Sequence, residues 1–277
     1  MAWGKKGKGV VPKKELMNIF KPATDLKIDD GLKMGLYSRS KLGKTHIVCT
    51  AAELEKRGPL FIIDTENNIK KETSRLPIIQ QDRIFVTEVL KLEEAGVERK
   101  KKIDVIRSLD LVMEAVDVLT DVIQDSMTNP DSLYKRGTVA IDSGTDIWQW
   151  LGVWLTNEAD IKKTQKGDMP RFEWGKANKR YIEFMYMLLN SNWNVIMSFR
   201  SEAAVGSTGE DLGHNKARWQ KDTDFWLDMI CELDHDGENF KLFFRGDRFG
   251  QLKGSITDPS FEKIVNEIKK QSGAIIL

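Results

Sequence analysis

Cysteine is nearly absent: Cys49 and Cys231 are the only two in 277 residues. Each stands alone on an apolar segment, without the paired spacing of a zinc knuckle or a redox motif. Histidine is equally sparse, with three in the chain, and His214 has no second His or Cys at metal-ligand spacing, which argues against a His/Cys metal centre. A charge excess is missing too, since 43 Lys+Arg face 42 Asp+Glu for a formal net charge of +1. No global field therefore draws the chain to nucleic acid or a membrane surface, and any such binding must use local patches. No apolar run approaches the roughly 18 residues of a spanning helix. The amino-terminal MAWGKKGKG lacks the apolar core of a secretion signal. Together these absences predict a soluble, cytoplasmic chain with reduced thiols and no membrane partner.

With 40% hydrophobic residues, the chain can bury one sizeable core. The expected organisation is a basic tail and lead-in over 1–30, a core over 31–255, and a helix or tail over 256–277. In the tail, Lys5, Lys6, Lys8, Lys13 and Lys14 can meet phosphates and Trp3 can stack on a base, although a frayed, solvated end fits as well. From Leu32 the pattern is strand (LKMGLYS), loop, helix (THIVCTAAELEKRG) and strand (PLFIIDTE), which is the βαβ signature of a parallel sheet. A Glu/Lys-rich stretch then leads into IDVIRSLDLVMEAVDVLTDVIQDS, apolar at helical spacing. YKRGTVAIDSGTDIW reads as strand into helix, WGKANKRYIEFMYMLLNSN as helix and WNVIMSFR as a buried strand. Gly-rich, charged Ser201 to Lys221 reads as a mobile loop. DFWLDMICELDHDGENFKLFFRGDR reads as two strands turning at Asp236-Gly237. The fold class is α/β, doubly wound, with an antiparallel edge.

The loop SRSKLGKT, Ser38 to Thr45, meets the phosphate-loop pattern G-x-x-x-x-G-K-[ST] everywhere except the first position, where Ser38 replaces glycine. Gly43 lets the backbone approach phosphates, and the following helix aims its N–H groups at them. Lys44 reaches the outer phosphates and Thr45 can ligate Mg²⁺. Placement after an apolar strand and before a helix makes nucleotide binding the expected role of Ser38, Arg39, Ser40, Lys41, Leu42, Gly43, Lys44, Thr45 and His46. Arg39 and Lys41 either add to phosphate binding or are solvated.

Phosphoryl transfer also needs a carboxylate near the metal and a group that activates water. Asp142 ends the VAID strand and suits the first role, with Thr45 as the other metal residue. Glu66 ends FIIDTE and suits the second. Asp64 lies deeper, on the same side by period-two alternation, and either joins the site or caps a loop. Taken singly, such acids are usually caps or turn formers. Here the three features coincide at the carboxyl ends of strands, where open α/β sheets place ligands. VIMSFR adds Ser198 or Arg200 as a γ-phosphate sensor or a coupling to the following loop; a surface salt bridge is the other reading of Arg200.

Together, SRSKLGKT, FIIDTE, VAIDSGTDIW, FEWGKANKRY, VIMSFR and DFWLDMICELDHDGENFKLFFRGDRFG resemble the RecA-like P-loop ATPases over about Leu32 to Gly250. The resemblance is closest to the compact phage and archaeal-virus branch linked to single-strand annealing and recombination. It implies a RecA-like, mostly parallel sheet flanked by helices, with antiparallel carboxy-terminal edge strands, binding ATP and Mg²⁺. By the same resemblance, Glu66 activates the water, Asp142 serves the metal, and Arg248, helped by Arg245 or Lys241, reaches the ATP of a neighbouring subunit as an arginine finger. Ser38, and a helix-rich insert at about 93–132 that serves either packing or a partner, depart from the pattern.

RecA-like proteins place a DNA-binding loop where Ser201 to Lys221 lies. Lys216, Arg218, Lys221 and Trp219 there suit a single strand, with charge following the backbone and the ring accepting any base. Glu202, Glu210 and Asp211 dilute the patch, and ordering by ATP or a neighbour is the alternative. Trp148, Trp150 and Trp154 suit core or subunit contact. The implied partners are single-stranded DNA, further copies in a ring or filament, and a single-strand-binding protein, in a host cytoplasm if the chain is viral. The expected activity is DNA-stimulated ATP hydrolysis in viral or plasmid recombination or replication. A ring-forming nucleic-acid motor, helicase or packaging ATPase, and a regulatory nucleotide-binding module are the alternatives.

Overall fold

The phosphate-loop strand sits in the middle of the sheet because its sequence leaves it no other place. β1 (Lys33–Ser38, KMGLYS) is buried at every position, as a strand must be when helices cover both faces. The computed structural model describes residues 31–54, 58–95, 100–132, 134–158, 174–250 and 252–273. After β1 come α1 (Lys44–Thr50) with a short 3₁₀ turn, β2 (Leu60–Asp64), α2 (Ile69–Thr73), α3 (Ile78–Gln81) and β3 (Ile84–Glu88). They are followed by β4 (Leu92–Ala95), β5 (Lys100–Ile103), α4 (Val105–Thr128), β6 (Thr138–Asp142), α5 (Gly144–Glu158) and α6 (Trp174–Leu189). Then come β7 (Asn194–Val205), β8 (Asp211–Ala217), α7 (Thr223–Trp226), β9 (Met229–His235), β10 (Phe240–Asp247), β11 (Ser255–Thr257) and α8 (Phe261–Ser272).

The main sheet runs β11-β10-β9-β1-β7-β6-β2-β3, with β8 added to the projecting end of β7. β1 pairs in parallel with both β7 and β9, and β6 and β2 continue the parallel core. β10 runs antiparallel to β9, as the Asp236-Gly237 turn requires, and β11 antiparallel to β10. The phosphate loop and the ends of β2, β6 and β7 therefore share one edge of the sheet, and β10 finishes at the other.

Two cores lie on the two faces. α4, α5 and α6 bury Val112, Val116, Trp150, Tyr181 and Phe184 on one face, around Trp193. On the other, α1 and α8 bury Val48, Cys49, Phe261, Ile264 and Ile268 against the sheet, with Cys231 beside them. Burial pushes the Cys49 thiol up to about 12 and raises the Cys231 thiol as well. Trp150 is core, and the half-buried Trp148 and Trp154 pack on it. Helix ends follow local chemistry: Asp104 caps α4 by accepting from Arg107 N at 3.1 Å, and Ser260 caps α8 while Gly273 closes it at φ 72°.

Two readings are refined, and one strand is new. Ser201–Lys221 is no mobile loop: β7 runs on to Val205 and pairs antiparallel with β8, turning through Gly209 at φ 90°. The pattern hides this hairpin because both strands are largely solvent-facing and so carry no apolar run. The helix-rich 93–132 insert opens with a β4–β5 hairpin before α4. β3 had no expectation at all, because an outermost strand keeps exposed residues that blur its signal. The amino-terminal tail with Trp3 and its lysines lies outside the described residues.

Candidate nucleotide site

The phosphate loop leaves β1 at Ser38 and enters α1 at Lys44. Its left-handed φ values fall on Lys41 (66°) and Gly43 (87°), not on Ser38. A side chain at the first pattern position is thus tolerated, whereas at Gly43 the conformation disfavours any residue with a Cβ. The Ser38 hydroxyl donates to Arg39 O at 2.7 Å. The Lys44 ammonium donates to Ser38 Oγ at 3.0 Å and to the carbonyls of Ser38 and Arg39 at 3.4 and 3.3 Å. Burial holds its pKa below the usual lysine range. Arg39, Ser40, Lys41 and His46 are exposed, with Leu42 half-buried; His46 Nδ1 lies 2.8 Å from Glu72 Oε1.

Asp142 ends β6 within reach of α1, and Thr45 Oγ1 donates to its Oδ2 at 2.6 Å. Ser198 Oγ, from β7, donates to the other oxygen. Burial raises the Asp142 carboxyl above its ordinary pKa, opposed by these two hydroxyls. The oxygen donors of Thr45 and Asp142 suit a hard cation such as Mg²⁺. Among the described residues no cluster of three or more His, Cys, Asp or Glu can hold a metal by itself.

Beyond β2 the acids divide their labour. Asp64 is a loop cap, accepting from Glu66 N at 3.0 Å and Ile69 N at 2.9 Å. Glu66 lies past the strand, where alternation no longer governs it, and its Oε1 accepts from Arg200 Nη2 at 2.8 Å. The same guanidinium reaches Asp146 Oδ1 at 2.8 Å. Thr65 Oγ1 donates to Asp146 Oδ2 at 2.9 Å. Arg200 is half-exposed, and the two carboxylates more than offset its desolvation to hold its pKa above the ordinary arginine value. Asp146 and Thr65 were not singled out as site residues. The signal available was the acidic first turn of α5 in SGTDIW, and it gives no hint of the partner across the sheet.

The hairpin residues divide as well. Lys216, Arg218 and Lys221 are exposed, but Glu202 lies 3.4 Å from Lys216 and 3.9 Å from Arg218 and dilutes their charge. Trp219 is half-buried. It packs edge-on against Phe199 at 5.0 Å, over Gly35 of β1, where an added Cβ would come within 3.2 Å of its ring. On the antiparallel edge, Lys241 pairs with Asp236 at 2.6 Å and Arg245 with Glu232 at 2.5 Å. Arg248 lies at the opposite end of the sheet from the phosphate loop, donating to Phe225 O and facing Asp228 at 3.6 Å. It serves no phosphate on its own chain.

Among the described residues no helix is long and apolar enough to cross a membrane. A comparison with curated proteins finds no match. Among solved structures, the chain is similar to the RadB recombinase at 13% identity and a TM-score of 0.50, covering 82% of this chain and 86% of that one. It also matches a prototypical type III secretion ATPase of pathogenic bacteria (10% identity, TM-score 0.49, 75% of this chain). A third match is the ATPase EscN of enteropathogenic E. coli, assembled with its central stalk EscO (12%, 0.45, 74%). The chain spans 53% and 42% of those two secretion ATPases. The AAA domain model matches residues 30–255. With a phosphate loop on the central strand of a mostly parallel, RecA-like sheet, the chain belongs to the AAA domain family and is a P-loop ATPase domain of that type.

Proposed function

We propose that this chain hydrolyses ATP under the control of its β7–β8 hairpin, and that the hairpin's ligand is single-stranded DNA. The observation that carries the reading is Arg200. It stands where β7 leaves the sheet to become the hairpin, and its guanidinium joins Glu66 to Asp146 at 2.8 Å each. Its backbone is tied to the hairpin's return strand, since Arg218 N donates to Arg200 O at 2.8 Å. Thr145 Oγ1 accepts from Arg200 N and donates to Arg218 O. Whatever displaces the hairpin displaces the partner of Glu66.

Lys44 and the amides opening α1 bind the phosphates. Thr45 and Asp142 are the residues that would hold Mg²⁺, which supplies charge neutralisation at the phosphates. Glu66 orients the attacking water and accepts its proton, with Arg200 fixing the carboxylate. Lys216, Arg218 and Lys221 give the hairpin a cationic rim for a phosphate backbone. The resemblance of the sequence motifs to annealing and recombination ATPases supports a role in viral or plasmid recombination or replication, with further copies and a single-strand-binding protein as partners.

An ATPase assay with and without single-stranded DNA tests this. Turnover should rise with DNA. Glu66→Gln should keep nucleotide affinity while losing about 10²- to 10⁴-fold in turnover, and Arg200→Ala should turn over at a rate DNA no longer changes. Normal turnover in Glu66→Gln removes the mechanism; wild-type turnover indifferent to DNA removes the ligand.

A further inference from the structure

The sheet ends at β3, whose outer edge has no strand partner among the described residues. An open edge is a template for another strand, and proteins usually cover it. β3 also exposes apolar side chains, Phe85 at 46% and Val86 at 42%, beside Val118 of α4 at 57%. Between β3 and α4 runs a groove of about 350 Å³ lined by Phe61, Phe85, Val86, Leu111, Val118 and Val122. Its far rim is acidic. Asp110, Glu114, Asp117, Asp121 and Asp125 are all exposed, and their spacing of four, three, four and four residues stacks them in one stripe along α4. Glu114 itself lines the groove. The surface thus asks for an extended, apolar segment with cations along one side.

The chain carries such a segment in KKGKGVVPKK, residues 5–14. Lysines flank the β-branched pair Val10-Val11, and Pro12, which cannot donate to a ladder, ends the strand-forming run. We propose that residues 5–14 lie along β3 of their own chain as an added edge strand, with one of the two valines toward the groove and the flanking lysines on the α4 acids. The reach is sufficient. From β1 to β3 is four inter-strand steps, or about 19 Å at about 4.8 Å each. The stretch from Lys14 to Gly31 spans about 56 Å at about 3.3 Å per residue. Tethering also gives the segment an effective concentration near the millimolar range, which favours the same chain over a second copy in dilute solution.

Disulfide trapping in the full chain tests this. Val86→Cys is combined with Val10→Cys or with Val11→Cys, since alternation turns one of the two inward; Cys49 and Cys231 stay buried. Mild oxidation should close an intramolecular bond in one pair, seen as a faster-migrating monomer on a non-reducing gel. Adding Lys13→Glu and Lys14→Glu should slow closure about tenfold, as should half-molar salt. Asp117→Lys and Asp121→Lys in the same chain should restore it. Circular dichroism identical to wild type shows that the variants fold. Bonds only between chains mean that a second copy takes the groove and overturn the proposal, as does closure in neither pair or closure indifferent to both charge reversal and salt.

Discussion

Asp142 sits where binding and folding pull against each other. Its carboxylate is buried and accepts from Thr45 Oγ1, and burial raises its pKa, as it does for Asp64 and Asp146. The folded chain therefore holds these protons more tightly than the unfolded chain. The resulting stability is full below the unfolded carboxylate value of about 3.9 and is lost as pH climbs through the raised folded values. Asp142→Asn removes that loss. At neutral pH it should melt about 2–4 °C higher, on the order of 1 kcal/mol, with a flatter melting-temperature profile between pH 4 and 7 and much lower turnover; a lower melting point at pH 7 contradicts the argument. Lys44→Ala should weaken nucleotide binding ten- to hundredfold, about 1.5–3 kcal/mol for lost charged hydrogen bonds, measured by titration with a fluorescent nucleotide. The places of both were legible in the sequence, Lys44 from the local pattern of a left-handed Gly43 followed by Lys44 and Thr45, Asp142 as the acid that ends the apolar VAID strand. The partnership of Arg200 with Asp146 was not, since it forms only when β7 lies beside β6 and the α5 first turn.

Elements were legible in proportion to their burial. β1, β2, β6 and the first half of β7 read as apolar runs because both faces are covered. The hairpin half of β7, β8 and β3 did not, since exposed strands carry polar or mixed residues whose pairing depends on a distant partner. Helix α8 shows the opposite case, a carboxy-terminal segment read as appendage that turns an apolar face into the core. Phe261 is fully buried there, and its N–H donates to Thr50 Oγ1 of α1 at 2.8 Å. Because α1 carries the phosphate loop, α8 braces the site from below. Phe261→Ala should cost about 3–5 kcal/mol in urea unfolding, and nucleotide affinity should fall with it; a loss under 1 kcal/mol would show that α8 is dispensable.

For the whole molecule, the parallel core followed from strand-loop-helix-strand spacing, but the order of strands did not, because placing β1 between β9 and β7 joins segments nearly two hundred residues apart. The antiparallel return of β10 sends Arg248 to the far end of the sheet, so its proposed finger role requires a second chain. Arg248→Ala should slow turnover while leaving nucleotide affinity intact. Mixing it with Glu66→Gln should restore activity, because the first supplies intact water-activating sites and the second intact fingers; a mixture no more active than its parts assigns Arg248 to its Asp228 pair instead. The central position of β1 and β7 has one more consequence. Each is laced to a neighbour on both sides, whereas among the described residues β11 is held on one. As denaturant or heat rises, the sheet should fray from its rims inward, with amides of the outer strands exchanging with solvent first and the cradle for the phosphates among the last to open.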